Sequence, residues 1–211
     1  MNKTNPYPHF AAAKVAAYII KLLRPHCLQI HLAGSLRRMR PYVHDIEIVC
    51  QPLQQLVARN LLGEEIFETS QDFNRALETV TLSITRGHTN GRMMQIVTSS
   101  KICPGIKLDL FMPQPPDYYR QYAIRTGSAE YARLIANTWV KKGWCGTDDG
   151  LRKRNECTQK KGIDKTAWHC TKAKPTLPPV WQSEGDFFSW LGLEYIDPEF
   201  REIHSVINTA Q

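Results

Sequence analysis

An α+β fold, with strands and helices in a first domain followed by a second, smaller one, is what three features of this 211-residue chain predict. Apolar residues recur at helical spacing early in the chain, several later segments alternate or run apolar with the length of strands, and a proline-rich hinge separates them from a second helical region. The chain is long enough to bury one good core or two small ones.

The elements follow in order. From Ala11 to Leu23, Val15, Ile19, Leu22 and Leu23 fall on one helical face among alanines and lysines, and Pro25 ends the helix. Leu28 to Leu32 reads as a short strand, Gly34-Ser35 as a tight turn, and Leu36 to Arg40 as a helical turn stopped before Pro41. Asp45 to Cys50 alternates at period two, so Asp45, Glu47 and Val49 share one face while Ile46, Ile48 and Cys50 share the other. A helical stretch is expected within Leu53 to Leu77. Val80 to Thr85 and Met93 to Thr98 are separated by Gly87-His88-Thr89-Asn90-Gly91, a hairpin signal, and the strand Ile106 to Met112 follows. After Pro113 to Pro116, Tyr118 to Ala123 and Ser128 to Lys141 read as helices divided by Thr126-Gly127-Ser128. Gly143 to Pro179 is polar, basic and turn-rich without clear periodicity, and an apolar, acidic helix is expected at Glu184 to Leu191. The hinge sets the expected domains at 1–115 and 116–211.

Charge is unevenly placed. Residues 1 to 119 hold 13 basic and 9 acidic side chains, residues 120 to 174 hold 13 and 5, and residues 175 to 211 hold 1 and 6. The basic central third suits a polyanionic partner, because clustered Lys and Arg gain by displacing counterions condensed on nucleic acid. No run of about 18 apolar residues is present, which argues against a membrane span, and the polar start from Met1 to His9 argues against a secretory leader. A cytoplasmic protein with reduced thiols is the resulting expectation for its six cysteines. Cys145, Cys157, His169 and Cys170 make a poor zinc site, because the set lacks a Cys-x-x-Cys pair and places two ligands side by side.

Three carboxylates carry the chemistry. Asp45 and Glu47 share a strand face, and Asp109 is the one acidic residue in the apolar run Ile106 to Met112. A carboxylate in such a strand needs a cation or hydrogen bonds, and magnesium, a hard ion that takes oxygen ligands, meets that need. Gly34-Ser35, followed by Arg37 and Arg38, adds close backbone approach, a hydroxyl and guanidinium groups suited to a triphosphate.

The order and spacing of these parts, His31-Leu-Ala-Gly-Ser-Leu-Arg-Arg38 and then Asp45-Ile-Glu-Ile-Val49, resemble the Gly-Ser and Asp-x-Asp/Glu signature of the polymerase beta superfamily, and the Arg-Arg resembles family X DNA polymerases. Gly105-Ile-Lys-Leu-Asp-Leu-Phe111 looks like that family's third-carboxylate strand, and Ile124-Arg-Thr-Gly-Ser128 like its palm-to-thumb motif. Lys142-Gly-Trp144 and Asp186 to Glu202 look like its thumb.

The resemblance implies a nucleotidyltransferase palm, with a mixed β-sheet flanked by helices, followed by a small thumb domain. It implies two magnesium ions, with manganese as a substitute, held by Asp45, Glu47 and Asp109, with Asp109 taking the proton of a 3′-hydroxyl as pyrophosphate leaves. Gly34, Ser35 and Arg38 would hold the triphosphate, and Thr126 and Gly127 the sugar side of the pocket. Lys107, Arg133, Arg152, Lys153 and Arg154 would meet a DNA primer/template or gapped DNA, with a dNTP as the other substrate. The chain departs from the family at Glu47, where Asp is usual, at Ile124-Arg125, where an aromatic pair is common, and at Ala132, where Asn is common. These departures open the site to ribonucleotides and to loose base selection, and keep a non-DNA acceptor and a non-catalytic DNA-end-binding module as alternatives. Trp168, between Lys165 and Lys172, is the expected base-stacking residue of the thumb.

Overall fold

The computed structural model describes residues 6–161 and 166–202. Its chain forms two compact units, 1–113 and 114–211.

In the first unit the strand β1 (Tyr7–Pro8) leads into the helix α1 (His9–Leu23). Ala12, Val15, Ala16, Ile19 and Leu23 line the buried face of α1, as the 3.6-residue period requires. The strand β2 (Cys27–Leu32), the one-turn helix α2 (Gly34–Arg37), and the strands β3 (Tyr42–Val43) and β4 (Asp45–Pro52) follow. A hairpin of β5 (Gln54–Arg59) and β6 (Glu65–Thr69) precedes the helix α3 (Gln71–Glu78), which Ser70 caps by accepting from the Phe73 amide. The strands β7 (Thr81–Gly87), β8 (Met93–Thr98) and β9 (Lys107–Phe111) complete a five-stranded sheet in the order β2-β4-β9-β8-β7. The β4–β9 pair is parallel and the other neighbours are antiparallel, so the sheet is mixed. Ile46, Ile48, Cys50, Met94, Ile96, Leu108 and Leu110 fill one face of the sheet and pack in one core with Val15, Ile19, Phe73 and Leu77 of the helices. The alternate residues of the central strands, Asp45, Glu47, Gln95 and Asp109, are on the other face and only partly covered.

The helical stretch expected within Leu53 to Leu77 is confined to α3, and the residues before it form the β5–β6 hairpin instead. Asn60 turns the chain: its side chain accepts from the amides of Leu62 and Glu64, and Gly63 takes a positive φ of 79°.

The second unit opens with a 3-10 turn, Pro115–Asp117, and the helices α4 (Tyr118–Thr126) and α5 (Ala129–Lys141). Ser128 caps α5 by accepting from the Tyr131 amide. The segment read as polar, basic and turn-rich, Gly143 to Pro179, contains a four-stranded sheet of β10 (Trp144–Thr147), β11 (Gly150–Lys153), β12 (Cys157–Lys161) and β13 (Thr166–Cys170), in the order β11-β10-β13-β12. Its strands are short, and although Trp144 and Leu151 enter the core, no alternating buried stripe runs along them, so backbone pairing defines them. The helix α6 (Glu184–Leu191) closes the unit with a capping box between Ser183 and Asp186. Tyr131, Ile135, Trp139, Trp144, Trp181, Phe187 and Phe188 form the core. Arg201, fully buried, donates to both carboxylate oxygens of Glu184 and to the Ile196 carbonyl.

Candidate functional site

The carboxylates are brought together by register. In the parallel β4–β9 pair Glu47 stands opposite Asp109 and Asp45 opposite Lys107. Period-two alternation places all four on the open face of the sheet, in two successive rungs.

Burial pushes the Asp45 carboxyl above its usual range, and the negative charge of Asp109 pushes the same way, against smaller opposing effects of His44 and Lys107. Asp45 and Asp109 therefore sense one another across the rungs. A group whose pKa is raised by folding favours the folded state most when it is protonated, and the ionised form weakens the fold as pH rises. Asp45→Asn is thus expected to raise thermal stability at about pH 7 in metal-free buffer, with the gain vanishing below about pH 4, where the carboxyl is protonated in both states. Melting curves of both proteins across that range test the sign.

Asp109 is held from the neighbouring strand. Gln95, its antiparallel partner on β8, donates Nε2–H to Oδ1 of Asp109 at 2.6 Å, and Thr85 Oγ1 on β7 donates to Oε1 of Gln95 at 2.8 Å. The chain of donors runs Thr85 to Gln95 to Asp109, and it leaves the second oxygen of Asp109 outside this bond. Neither Gln95 nor Thr85 stands out in the sequence. The available signal was a lone amide in the alternating run Met93 to Thr98, on the face opposite the buried Met94 and Ile96.

Gly34 has a part that the sequence did not show. Its φ is +64°, and a Cβ built there would lie 1.9 Å from Oε2 of Glu47 and 3.0 Å from its Cβ. The glycine makes room for the Glu47 side chain, while the Ala33 amide donates to the Glu47 carbonyl at 2.8 Å. Ser35 and Arg38 stand in the same short turn, both partly covered.

Among the described residues no three His, Cys, Asp or Glu side chains are gathered at metal-holding spacing. The donor set nevertheless suits a hard cation: oxygen ligands only, on adjacent rungs, with one carboxyl destabilised as an anion by burial and by its neighbour. Like charges repel until a cation joins them.

In the second unit Thr126 is fully buried and its hydroxyl donates to the Tyr122 carbonyl at 2.7 Å. A Cβ at Gly127 would lie 2.5 Å from Cδ1 of Tyr131, so this glycine lets Tyr131 pack. Both residues thus have local packing roles. Arg133 is exposed on α5, and Arg152, Lys153 and Arg154 run from the end of β11 into the next turn. Lys165 and the side chain of Lys161 lie outside the described residues.

Three of the cysteines in the second unit do approach one another. Cys157 stands opposite Cys170, Cys145 and Cys157 perturb one another's thiols, and the Cys145 thiol donates to the Arg152 carbonyl. Burial and these neighbours push Cys157 up to about 12. His169 is on the opposite strand face, because it pairs with Thr158 one step from the Cys157–Cys170 rung. All six cysteines are free thiols.

No curated protein matches the chain. Residues 122–202 match the family DNA polymerase beta thumb, in keeping with a family X polymerase-like protein.

Proposed function

We propose that this family X polymerase-like chain, with its polymerase beta thumb at 122–202, transfers a nucleoside monophosphate from a dNTP to the 3′-hydroxyl of DNA and releases pyrophosphate. The observation that carries the reading is the register that sets Asp45, Glu47 and Asp109 on one open sheet face beside Gly34 and Ser35.

Asp45, Glu47 and Asp109 would hold two magnesium ions, which when bound neutralise charge on the reacting phosphates and the leaving group. The chain's own residues do the rest. Asp109, fixed by Gln95, takes the 3′-hydroxyl proton as the O3′–Pα bond forms and the bond from Pα to the bridging oxygen breaks. Ser35 and Arg38 hold the triphosphate and its departing pyrophosphate through a hydroxyl and a guanidinium. Gly34 keeps Glu47 in place. Among the described residues no helix is long and apolar enough to cross a membrane.

Arg133, Arg152, Lys153 and Arg154 supply backbone contacts that position DNA without reading its sequence. Replacing Arg152, Lys153 and Arg154 together by Ala is expected to weaken duplex-end binding and to flatten the dependence of log K on log salt by roughly 0.9 for each phosphate that the variant no longer neutralises. Fluorescence anisotropy at several salt concentrations measures it, and an unchanged slope rules out these side chains as phosphate-binding groups.

Extension of a labelled primer, alone and across a gapped template, with each dNTP and NTP, tests the reaction itself. Template-matched addition supports the polymerase reading. Extension of RNA alone, or of no nucleic acid, directs it to the non-DNA acceptor left open by Glu47.

A further inference from the structure

The tryptophans of the second unit do not all serve its core. Trp139, Trp144, Trp181 and Trp190 are in or against the hydrophobic cluster, with ring contacts such as Trp144–Trp190 at 5.6 Å and Trp181–Trp190 at 5.3 Å. Trp168, half-buried on β13, is outside that cluster among the described residues. It lines an open cleft of ≈ 690 Å³ with Gly143, Lys153, Arg154, Asn155 and Cys157. That volume lies within the usual range of about 300–1,000 Å³ for small-ligand sites.

Two cations are fixed at this cleft by aromatic faces. The Arg154 guanidinium is 5.2 Å from the centre of the Trp168 ring, and the Lys153 ammonium is 4.1 Å from that of Trp144. Such cation–π contacts hold long side chains in place ahead of binding and leave their N–H groups available to oxygen acceptors. Gly143 adds space: a Cβ there would meet nothing within 4 Å.

An indole with a guanidinium on one face and an open cleft beside it, flanked by a second cation, matches the chemistry of a nucleobase and its phosphate. Bases stack on aromatic rings whatever their identity, and the phosphates meet the cations. In a duplex both faces of each internal base are already stacked, so the ligand that fits is an unpaired or terminal nucleotide. An acidic peptide would use the cations but gain nothing specific from Trp168.

We infer that the cleft around Trp168 is a subsite for an unpaired nucleotide of single-stranded DNA, stacked on the indole, with its phosphate held by Lys153 and Arg154. The inference rests on the reading of the second unit as a DNA-binding thumb and is independent of any chemistry at Asp45, Glu47 and Asp109.

The test uses the full chain without metal or nucleotide, so that its outcome is separate from that of primer extension. Binding of a fluorescein-labelled twelve-nucleotide oligo(dT) and of an abasic strand of equal length and charge is measured for the unaltered protein, Trp168→Ala and Trp168→Phe. The expected result is a loss of roughly 5- to 100-fold for Trp168→Ala on oligo(dT), a much smaller loss for Trp168→Phe, and an unchanged salt slope because no charge is removed. The abasic strand should bind the unaltered protein as weakly as oligo(dT) binds Trp168→Ala. Equal binding of oligo(dT) and the abasic strand overturns the proposal, as does polyglutamate competing as well as oligo(dT) at equal charge. If Trp168→Ala loses its far-UV circular dichroism, the comparison of the two strands on the unaltered protein and on Trp168→Phe still decides the matter.

Discussion

Asp109→Asn is expected to lower the rate of nucleotide addition by at least about 10³-fold while leaving the fold and DNA binding intact. The substitution keeps the size of the side chain and an Oδ1 that can accept from Gln95, whose Nε2 is 2.6 Å from that atom in the native protein. What it removes is the negative charge and the basicity. Charge neutralisation at a phosphoryl-transfer centre amounts to several kcal/mol, and about 4 kcal/mol corresponds to about 10³ in rate. Single-turnover addition to a gapped substrate, beside anisotropy on the same DNA, separates the two effects. Rates within about tenfold of the unaltered protein would remove Asp109 from the chemistry, since that is only about 1.4 kcal/mol.

Gly34→Ala should be nearly as damaging, for a different reason. Ala at φ +64° is strained by about 1–2 kcal/mol, and its methyl would occupy the place of the Glu47 carboxylate, 1.9 Å away. Glu47 must then leave its position on the rung opposite Asp109. Displacing a catalytic group by about 1 Å can cost roughly 10²-fold in rate. Gly63→Ala is the matched control: its φ is +79° and nothing lies within 4 Å of the added methyl, so it should show the strain as lower stability with activity retained. Equal activity losses in both variants would show that crowding of Glu47 is immaterial.

The parts of the fold that could be read from sequence are those in which one face is buried. Ile46, Ile48 and Cys50 of β4 all enter the core, and so do Val15 and Ile19 of α1, so period two and period 3.6 are visible. The β5–β6 hairpin has no such face. Leu56, Val57, Leu61, Leu62, Ile66 and Phe67 are all exposed, and as adjacent pairs recurring every five residues they show neither period two nor period 3.6. The four strands from Trp144 to Cys170 are hidden for the complementary reason: they are held by backbone pairing, with few apolar residues to mark them.

The candidate site divides along the same line. Asp45 and Glu47 share a face by local alternation alone, and Asp109 stands out as an acid in an apolar run. That Glu47 faces Asp109, and that Gln95 holds Asp109 from the other side, depends on the register of three strands far apart in sequence. The part Gly34 plays is hidden likewise, since the atom it makes room for belongs to Glu47.

The proposed nucleotidyl transfer would require Asp45, Glu47 and Asp109 to act as one cation-holding set. Manganese binding in the presence of a non-hydrolysable dNTP, followed by electron paramagnetic resonance on the unaltered protein, Asp45→Asn and Asp109→Asn, tests that requirement most directly. Two ions per chain are expected in the unaltered protein, with weaker or fewer ions in both variants. Binding that is absent in the unaltered protein, or equal in all three, would contradict it.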